Sequence, residues 1–378
     1  MAISDASVLS HLTDADVGGL AAELDAIRAE IEDCRGERDA RYIYRTIALQ
    51  RAVEVAGRVV LAASSRRWAW WAGAATLGLA KIVENMEIGH NVMHGQWDWM
   101  NDPEIHSSSW EWDMAGTAKR WRFTHNFQHH KYTNVLGMDT DVGYGFLRVT
   151  RDQPWRKHHI ANLLMSALLM LGFEWGVALQ HLGLQLRNLF NGRADRAAKL
   201  ELRERFSKAG RQLVKDYLAT PALTSLSPGA TFTSAVTANV LANVIRNVWI
   251  DAVVLCGHFP DGAEKFTNQD LDNETKGQWY LRQILGSANI DAGPLLAFLT
   301  GNLSYQIEHH LYPDLPSNRL AEIAVRVRQV CDKYDLPYTT GPFLTQFAQT
   351  WRTIATLSLP ARSQVSHGAS PASNRVDV

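Results

Sequence analysis

Residues 68–94 read WAWWAGAATLGLAKIVENMEIGHNVMH and contain the two signals that decide the fold prediction. The apolar half, residues 68–80, begins with three tryptophans, as membrane helices do where they meet the lipid–water interface. The second half becomes polar and ends in two histidines four residues apart, His90 and His94. Polar groups at the end of a membrane helix are costly unless they serve a site. The stretch therefore predicts a membrane helix that leads into a functional centre.

The apolar helix is one arm of a predicted hairpin. Residues 51–87 contain a second apolar run before it, and Arg66 and Arg67 mark the turn between the two arms. Upstream, residues 17–50 carry apolar residues at helical spacing among many charges. This pattern is typical of an amphipathic helix that lies on protein or on a membrane surface.

The rest of the membrane topology depends on which side the histidines share. Residues 187–216 are basic and predict a cytoplasmic segment, because Lys and Arg accumulate on that side. All histidine clusters must lie on one side of the membrane, so the chain must cross the membrane an even number of times between one cluster and the next. We predict that residues 217–257 form the second hairpin and that residues 160–186 are re-entrant or interfacial. The alternative, in which 160–186 crosses, leaves the basic segment outside.

Strand-like alternation is nearly absent, so the predicted fold class is all-α: a multi-span membrane helix bundle with a cytoplasmic helical cap that holds a di-metal site. Mean hydropathy is −0.19, which is low for a multi-span protein, so a soluble helical protein with a large aromatic core remains the alternative. The predicted divisions are an amphipathic cytoplasmic or interfacial region (1–50), a membrane domain (51–345) and a C-terminal tail (346–378). The end of the tail, residues 361–378, is predicted to be disordered.

Composition excludes several classes of function. The net charge of −1 gives no electrostatic reason to expect a nucleic-acid partner. The three cysteines, Cys34, Cys256 and Cys331, form no CxxC pair, which argues against a disulfide framework and an iron–sulfur site.

Eight of the fourteen histidines form the candidate metal site: His90, His94, His125, His129, His130, His258, His309 and His310. Residues four apart on a helix point from one face, which describes His90 with His94 and His125 with His129. His130 is turned by about 100° from His129 on a helix of 3.6 residues per turn. Adjacent histidines therefore suit two neighbouring ions better than one.

Two redox metal ions, both iron, are the preferred interpretation. A zinc hydrolase needs about three protein ligands and a general base, and eight imidazoles exceed one tetrahedral site. Soluble diiron carboxylate bundles use two Glu-x-x-His motifs, one on each of two helices, and this chain has no such pair of motifs. Copper fits the ligand type less well than iron.

Candidates for a role beside the metal ligands are Glu87, Asp139, Asp141 and Gln306. Asp139 and Asp141 either accept hydrogen bonds from ligand imidazoles or cap a loop. Glu87, like the neighbouring Lys81, Glu84 and Asn85, is either close to the site or marks where the helix emerges into water.

The motifs that surround these histidines resemble those of a known family. HNVMH (90–94), HNFQHH (125–130) followed by TNVLGMDTD, and QIEHHLYPDLPSNRL (306–320) are similar to the three histidine boxes of membrane fatty acid desaturases. The resemblance covers about residues 68–340, and within the family the whole chain looks like the mycobacterial stearoyl-CoA (delta-9) desaturases.

The resemblance implies an enzyme of the cytoplasmic face of the cell membrane, with a diiron centre that uses O2 to place a cis double bond in a saturated acyl chain. It favours acyl-CoA, such as stearoyl-CoA or palmitoyl-CoA, over acyl-lipid as the substrate. No cytochrome HPGG motif is present, so a separate electron donor is expected: an NADPH-dependent flavin or iron–sulfur oxidoreductase, or a ferredoxin. Animal acyl-CoA desaturases carry a histidine at the position of Gln306, which implies a ligand set one imidazole short.

Two other functions remain open at this point. A fatty acyl or alkyl hydroxylase could use the same diiron scaffold, since only the fate of the second hydrogen differs. A non-catalytic metal- or haem-binding membrane protein is the more distant alternative, because it predicts isolated histidines at membrane depth rather than clusters in polar segments.

Overall fold

The computed structural model describes residues 9–180, 182–193, 195–271 and 273–360. These residues form α-helices and one short sheet. The helices are α1 (Asp14–Asp33), α2 (Glu37–Leu61), α3 (Arg67–Val83), α4 (Asn91–Met93), α5 (Ala118–Trp121), α6 (Asn162–Leu171), α7 (Phe173–Leu179), α8 (Leu182–Phe190), α9 (Arg196–Val214), α10 (Thr220–Thr224), α11 (Phe232–His258), α12 (Lys276–Leu285), α13 (Pro294–Leu299), α14 (Gln306–Leu311), α15 (Leu320–Lys333) and α16 (Phe343–Leu357). The sheet pairs β1 (Asn289–Asp291) with β2 (Thr340–Pro342) in parallel. The predicted all-α class is confirmed.

Shorter helical segments of other types interrupt or connect these elements. The π-helices are Glu84–His90, Arg122–His129 and Lys215–Ala219. The 3₁₀ helices are Asp98–Met100, Gly143–Gly145, Lys157–Ala161, Asn268–Leu271, Leu303–Tyr305 and Ser317–Arg319.

The first hairpin is formed by α2 and α3, which are joined by residues 62–66. Glycines let the two helices approach closely: a Cβ on Gly73 would lie 2.6 Å from Leu61 Cδ2, and one on Gly57 would lie 3.0 Å from the backbone nitrogen of Leu77. Helix α11 packs on α3 in a similar way, because a Cβ on Gly78 would lie 3.0 Å from Ile245 Cγ2. Three helices thus form a tightly packed centre.

The turns of two hairpins meet at one end of this packed centre. The backbone N–H of Ser65 donates to Gly229 O at 2.9 Å, and Ser227 Oγ donates to Ala62 O at 2.7 Å. The chain therefore turns between α10 and α11 beside the turn of the first hairpin. The opposite ends of α3 and α11 both lead to histidines.

Among the described residues, one helix is long and apolar enough to cross a membrane, Phe232–His258. A second candidate is the pair Lys157–Leu171 and Phe173–Leu179, which is bent by 102° at the break between its members. This pair occupies most of the stretch predicted to be re-entrant. The predicted multi-span bundle remains a proposal.

A layer formed by α1, α12, α14 and α15 covers the histidine end of the molecule. Leu20, Leu24, Ile27 and Ile31 of α1 are all buried, and they belong to one core with α12, α14 and α15. The amphipathic N-terminal region thus lies on protein. Helix α2 runs without a break across the boundary predicted at residue 50. Residues 346–357 of the predicted tail belong to α16, and residues 361–378 lie outside the described residues.

Candidate metal centre

The eight candidate ligands come from four elements whose ends converge. His90 closes the first π-helix and His94 follows α4, while His125 and His129 lie on the second π-helix with His130 next in the chain. His258 is the last residue of α11, and His309 and His310 lie on the short α14. π-helical turns inside α-helices are frequent at functional sites. Here they carry three of the eight histidines.

Seven of the histidines form two groups whose ligand atoms lie within 4.8 Å of one another. The first group is His90, His94, His125 and His309, and the second is His129, His258 and His310. The Nε2 atoms of His90 and His125 are 3.4 Å apart, and those of His129 and His258 are 3.2 Å apart. The structure therefore brings together residues that are up to 220 positions apart in the sequence, as two adjacent groups.

His130 belongs to neither group and lies beside both. Its ring is stacked on that of His310 at 4.3 Å between centroids and is 4.6 Å from the ring of His94. Both of its nitrogens are buried without a hydrogen-bond partner. This position suits a ligand at the border between two ions.

Buried histidine nitrogens without hydrogen-bond partners indicate what kind of ligand the two groups can bind. Buried nitrogens of His94, His258 and His309 also lack hydrogen-bond partners, although leaving a buried polar atom unpaired costs about 1–3 kcal/mol. Burial and the neighbouring imidazoles hold the pKa of His94, His130 and His309 well below the ordinary value of histidine. Neutral imidazole is the form that binds a metal. The donor set therefore fits two cations of a metal that accepts nitrogen ligands.

In several of these histidine rings, the second nitrogen is hydrogen-bonded to a residue outside the two histidine groups. Asp139 Oδ2 accepts from His129 Nδ1 at 2.9 Å, and Asp141 Oδ2 accepts from His125 Nδ1 at 3.3 Å. Burial acts to lower the pKa of His129, but the Asp139 carboxylate raises it above the ordinary value. Backbone N–H groups of Asn134 and Asp141 donate to Asp139 at 2.8 and 2.9 Å. Such acceptors fix the tautomer and orientation of a ligand imidazole.

Three more ring partners were not predicted from the sequence. Asn91 Oδ1 lies 3.1 Å from His90 Nδ1, while Gln283 Oε1 and Thr133 Oγ1 each lie 3.2 Å from His310 Nδ1. Asn91 is adjacent to the candidate ligand His90, so its position was a usable signal. Gln283 is far from every cluster in the sequence and gives no such signal.

Gln306 lies at the group that has only three imidazoles. Its Nε2 is 2.9 Å from His258 Nε2. Space for its side chain depends on Gly257, because a Cβ there would lie 2.9 Å from Gln306 Cδ. The amide is thus in contact with the candidate centre at the position where the resemblance implies a missing imidazole.

Asn85 and Glu87, which follow α3, are buried, so the helix does not emerge into water there. Glu87 accepts hydrogen bonds from Tyr42, Ser317 and Asn302 at 2.6–2.9 Å, and none of its hydrogen bonds among the described residues joins it to a candidate ligand. Burial raises the pKa of Glu87 to about 7. These contacts tie the first π-helix to α2 and to the segments that precede α14 and α15.

Lys81 and Asn85 belong to a separate buried polar network. Lys81 Nζ donates to Asp113 and Asp216 at 3.1 and 3.0 Å. Asn85 Oδ1 accepts from Arg246 Nη1 at 3.1 Å, and Arg246 pairs with Glu174. The side-chain amide of Asn85 donates a hydrogen bond to the Glu84 carboxylate. This network joins α3, α7, α11 and the segment before α5.

A cavity with mostly apolar walls lies against both histidine groups. His90, His125, His129, His258 and Gln306 form one side of it. The apolar wall residues are Met86, Trp112, Met114, Trp121, Tyr144, Phe173, Val177, Ile250, Val254, Phe259 and Leu303. Asn85 also lines the cavity, so the cavity reaches from the histidines to the buried polar network.

A comparison with family models decides the classification. The model described as "Fatty acid desaturase" matches residues 66–342, which includes all eight candidate ligands. The chain belongs to the fatty acid desaturase family. The resemblance inferred from the three histidine boxes is therefore confirmed.

Individual family members differ widely in their similarity to this desaturase chain. The "NADPH-dependent stearoyl-CoA 9-desaturase" of Mycobacterium tuberculosis is 72% identical over 361 residues, which cover 95% of this chain and 84% of the relative. The "sn-1 linoleoyl-lipid 6-desaturase" of Synechocystis is 22% identical over 291 residues, or 74% and 78% of the two chains. The "Acyl-lipid (9-3)-desaturase" of Borago officinalis is 36% identical over 98 residues, or 26% and 22%.

Proposed function

We propose that this protein is an O2-dependent acyl-CoA desaturase that introduces a cis double bond at carbon 9 of a saturated chain such as stearoyl-CoA or palmitoyl-CoA. The observation that carries the proposal is an apolar cavity with two histidine groups in its wall, in a chain 72% identical to a relative named as a stearoyl-CoA 9-desaturase. The class of metal, the membrane arrangement and the electron source are parts of the same proposal.

Two iron ions are the proposed cofactor, with the eight histidines as ligands. Bound iron supplies the oxidising power that removal of hydrogen from an unactivated methylene requires, while the protein supplies position and environment. Asp139 and Asp141 orient the rings of His129 and His125. The side-chain amide of Gln306 occupies the place beside His258 where another ligand could stand, and it leaves the second group with fewer imidazoles than the first.

The stretch of α11 that lines the cavity is about as long as half of an extended eighteen-carbon chain. On α11 the lining residues His258, Val254 and Ile250 are four apart and therefore share one face. Eight residues of helix span about 12 Å. An extended chain advances about 1.2 Å per bond, so nine or ten carbon–carbon bonds have about the same length. Arg246, one turn further on, joins the polar network that ends the apolar wall.

The atoms of the reaction balance with an external reductant. The two adjacent methylenes give up two hydrogens, the donor gives two electrons, and solvent gives two protons, so that O2 is reduced to two waters. Apolar walls exclude water from the chain while it is held at the histidine groups. NADPH is the proposed ultimate electron source, because the mycobacterial relative is named as NADPH-dependent. A separate reductase or ferredoxin is proposed to carry the electrons.

The proposed location is the cell membrane, with the metal centre on the cytoplasmic side. Two hairpins, α2–α3 and the α10–α11 region, would cross it, since their turns meet at the end opposite to the histidines. The bent α6–α7 pair would enter without crossing. Basic helix α9 supports a cytoplasmic orientation of the connecting segment.

The function is tested by product analysis. Cells that express the chain and receive labelled stearate are expected to accumulate oleate, with the new bond at carbon 9. Cells that express the His309→Ala variant at an equal level serve as the control. Labelled hydroxystearate as the main product would contradict the proposal and favour a hydroxylase; a double bond at another carbon would contradict the assigned position.

The carboxylate of Asp139 has a separate, measurable role. We expect Asp139→Asn to weaken iron binding by about 10–100-fold, because the new amide must direct an NH2 group at an existing N–H donor and its carbonyl is a weaker acceptor. Iron affinity is measured by competition with a chelator. Asp152→Asn, at an exposed carboxylate in a loop, is the matched control. Wild-type affinity in Asp139→Asn would show that the carboxylate only caps its loop.

A further inference from the structure

The helix that carries the second histidine box has an exposed outer face. Helix α5 and the π-helix after it direct His125 and His129 toward the candidate centre. Phe123 and Phe127 lie on the other side, with exposed fractions of 47% and 50%. Phenylalanines four residues apart share one face of a helix, and here they form a continuous exposed apolar strip.

Cations frame this strip on both ends. The rings of Phe123 and Phe127 are 5.8 Å apart and nearly parallel, at 28°. The Arg120 guanidinium lies 5.4 Å from the Phe123 ring, and Lys131 Nζ lies 5.3 Å from the Phe127 ring. Cation–π contacts hold these charges against the aromatic surface. The outer face is therefore both apolar and positively charged.

The surrounding sequence keeps the charge positive. Residues 114–138 contain four Lys or Arg and no Asp or Glu. The carboxylate of Glu201 on α9 approaches one of the four, Arg120, at 3.8 Å. Lys119 and Lys131 are exposed and their ammonium groups form no ion pair among the described residues. Electrostatic complementarity favours an acidic partner.

We propose that this face, which we call the aromatic–cationic face and define as Lys119, Arg120, Phe123, Phe127 and Lys131, is the docking surface for an acidic protein that delivers electrons one at a time. The inference rests on the proposed function, because only a reductant-dependent centre needs such a partner. Each turnover takes two electrons from two reduced carriers, which leave oxidised by one electron each.

The position of the face explains why electrons would enter here. The helix has a diameter of about 10–12 Å with its side chains, so the outer phenylalanines are one helix away from the ligand histidines. Electron transfer slows steeply with distance, and this route crosses a single helix. The basic helix α9 has a similar charge but carries none of the candidate ligands.

The test measures reduction of the iron-loaded enzyme, not turnover. The probe is a reduced ferredoxin of the plant type, a small acidic iron–sulfur protein, mixed with oxidised enzyme in a stopped-flow spectrometer. The wild-type bimolecular rate constant is expected to fall steeply with added salt. Lys119→Glu/Lys131→Glu is expected to lower it by about tenfold or more at low salt. Phe123→Ser/Phe127→Ser is expected to lower it with little change in the salt dependence.

Controls separate docking from damage to the site. A small cationic viologen radical should reduce all variants at the wild-type rate, and iron content should be unchanged. Lys199→Glu/Arg203→Glu makes the same charge change on exposed positions of α9 and should leave the ferredoxin rate unchanged. Loss of the ferredoxin rate in the α9 variant alone would overturn the proposal, as would a wild-type rate insensitive to salt or equal in all variants. Desaturation by the wild type tests the proposed function independently of these rates.

A membrane surface is the other partner that an aromatic and cationic face could bind. In a Cys34→Ser background, a spin label at Lys119→Cys reports on this in lipid nanodiscs. We expect a water-soluble nickel complex to relax the spin label. Relaxation by oxygen with protection from nickel would place the face in lipid and overturn the proposal.

Discussion

His309→Ala is expected to reduce desaturation at least about 100-fold and to lower the iron bound per chain, because direct ligands matter more than the outer partners whose loss costs 10–100-fold. His309 is fully buried and neither of its ring nitrogens has a hydrogen-bond partner. Its removal therefore breaks no other polar contact. Activity and iron content by mass spectrometry are measured on the same purified sample, and His129→Ala is expected to give the same pair of losses.

The control for this variant is a histidine outside both groups. His106→Ala removes a partly exposed imidazole that contacts Ser108 at 2.8 Å in a loop, and it should keep both iron and activity. Full activity of His309→Ala with little bound iron would remove the metal centre from the proposed function. Loss of activity with both irons retained would instead make His309 a substrate-facing residue.

The clustering of the candidate ligands could be predicted because several of them are arranged locally in the sequence. Spacing of four residues places His90 with His94 and His125 with His129 on single helix faces, and this relation does not depend on the rest of the fold. The positions of Asp139 and Asp141 after the second box were also informative. The π-helices were not predicted, because stretches of five to eight residues are too short for their spacing to be told from that of an α-helix.

Long-range pairs explain what the sequence could not supply. Lys81, Glu84 and Asn85 could be either exposed or buried, since the choice depends on Asp113, Asp216 and Arg246, none of which is close in the sequence. The same holds for Gln283, which meets His310 only after α12 packs on α14. Sequence periodicity predicts which side chains share a helix face, but not which charge from another helix will meet them.

Arg246→Met is expected to destabilise the folded protein by about 3–5 kcal/mol, because it leaves a carboxylate buried without its partner. Arg246 and Glu174 are 0% and 1% exposed. Arg246 also donates to Asn247 Oδ1 at 3.0 Å and to Asp113 O at 3.1 Å. The loss is measured as a lower midpoint in detergent-denaturant titration of the purified protein.

A double variant separates the cost of an unpaired charge from the loss of attraction. Arg246→Met/Glu174→Gln removes both charges, so it should be more stable than Arg246→Met alone. Arg326→Met, which breaks the exposed ion pair with Glu30 (2.7 Å), should cost at most about 1 kcal/mol. Equal midpoints for the buried and exposed single variants would contradict a structural role for the pair. Asn85 lines the cavity and accepts a hydrogen bond from Arg246. Arg246→Met should therefore also have lower desaturase activity, even at denaturant concentrations below its unfolding midpoint.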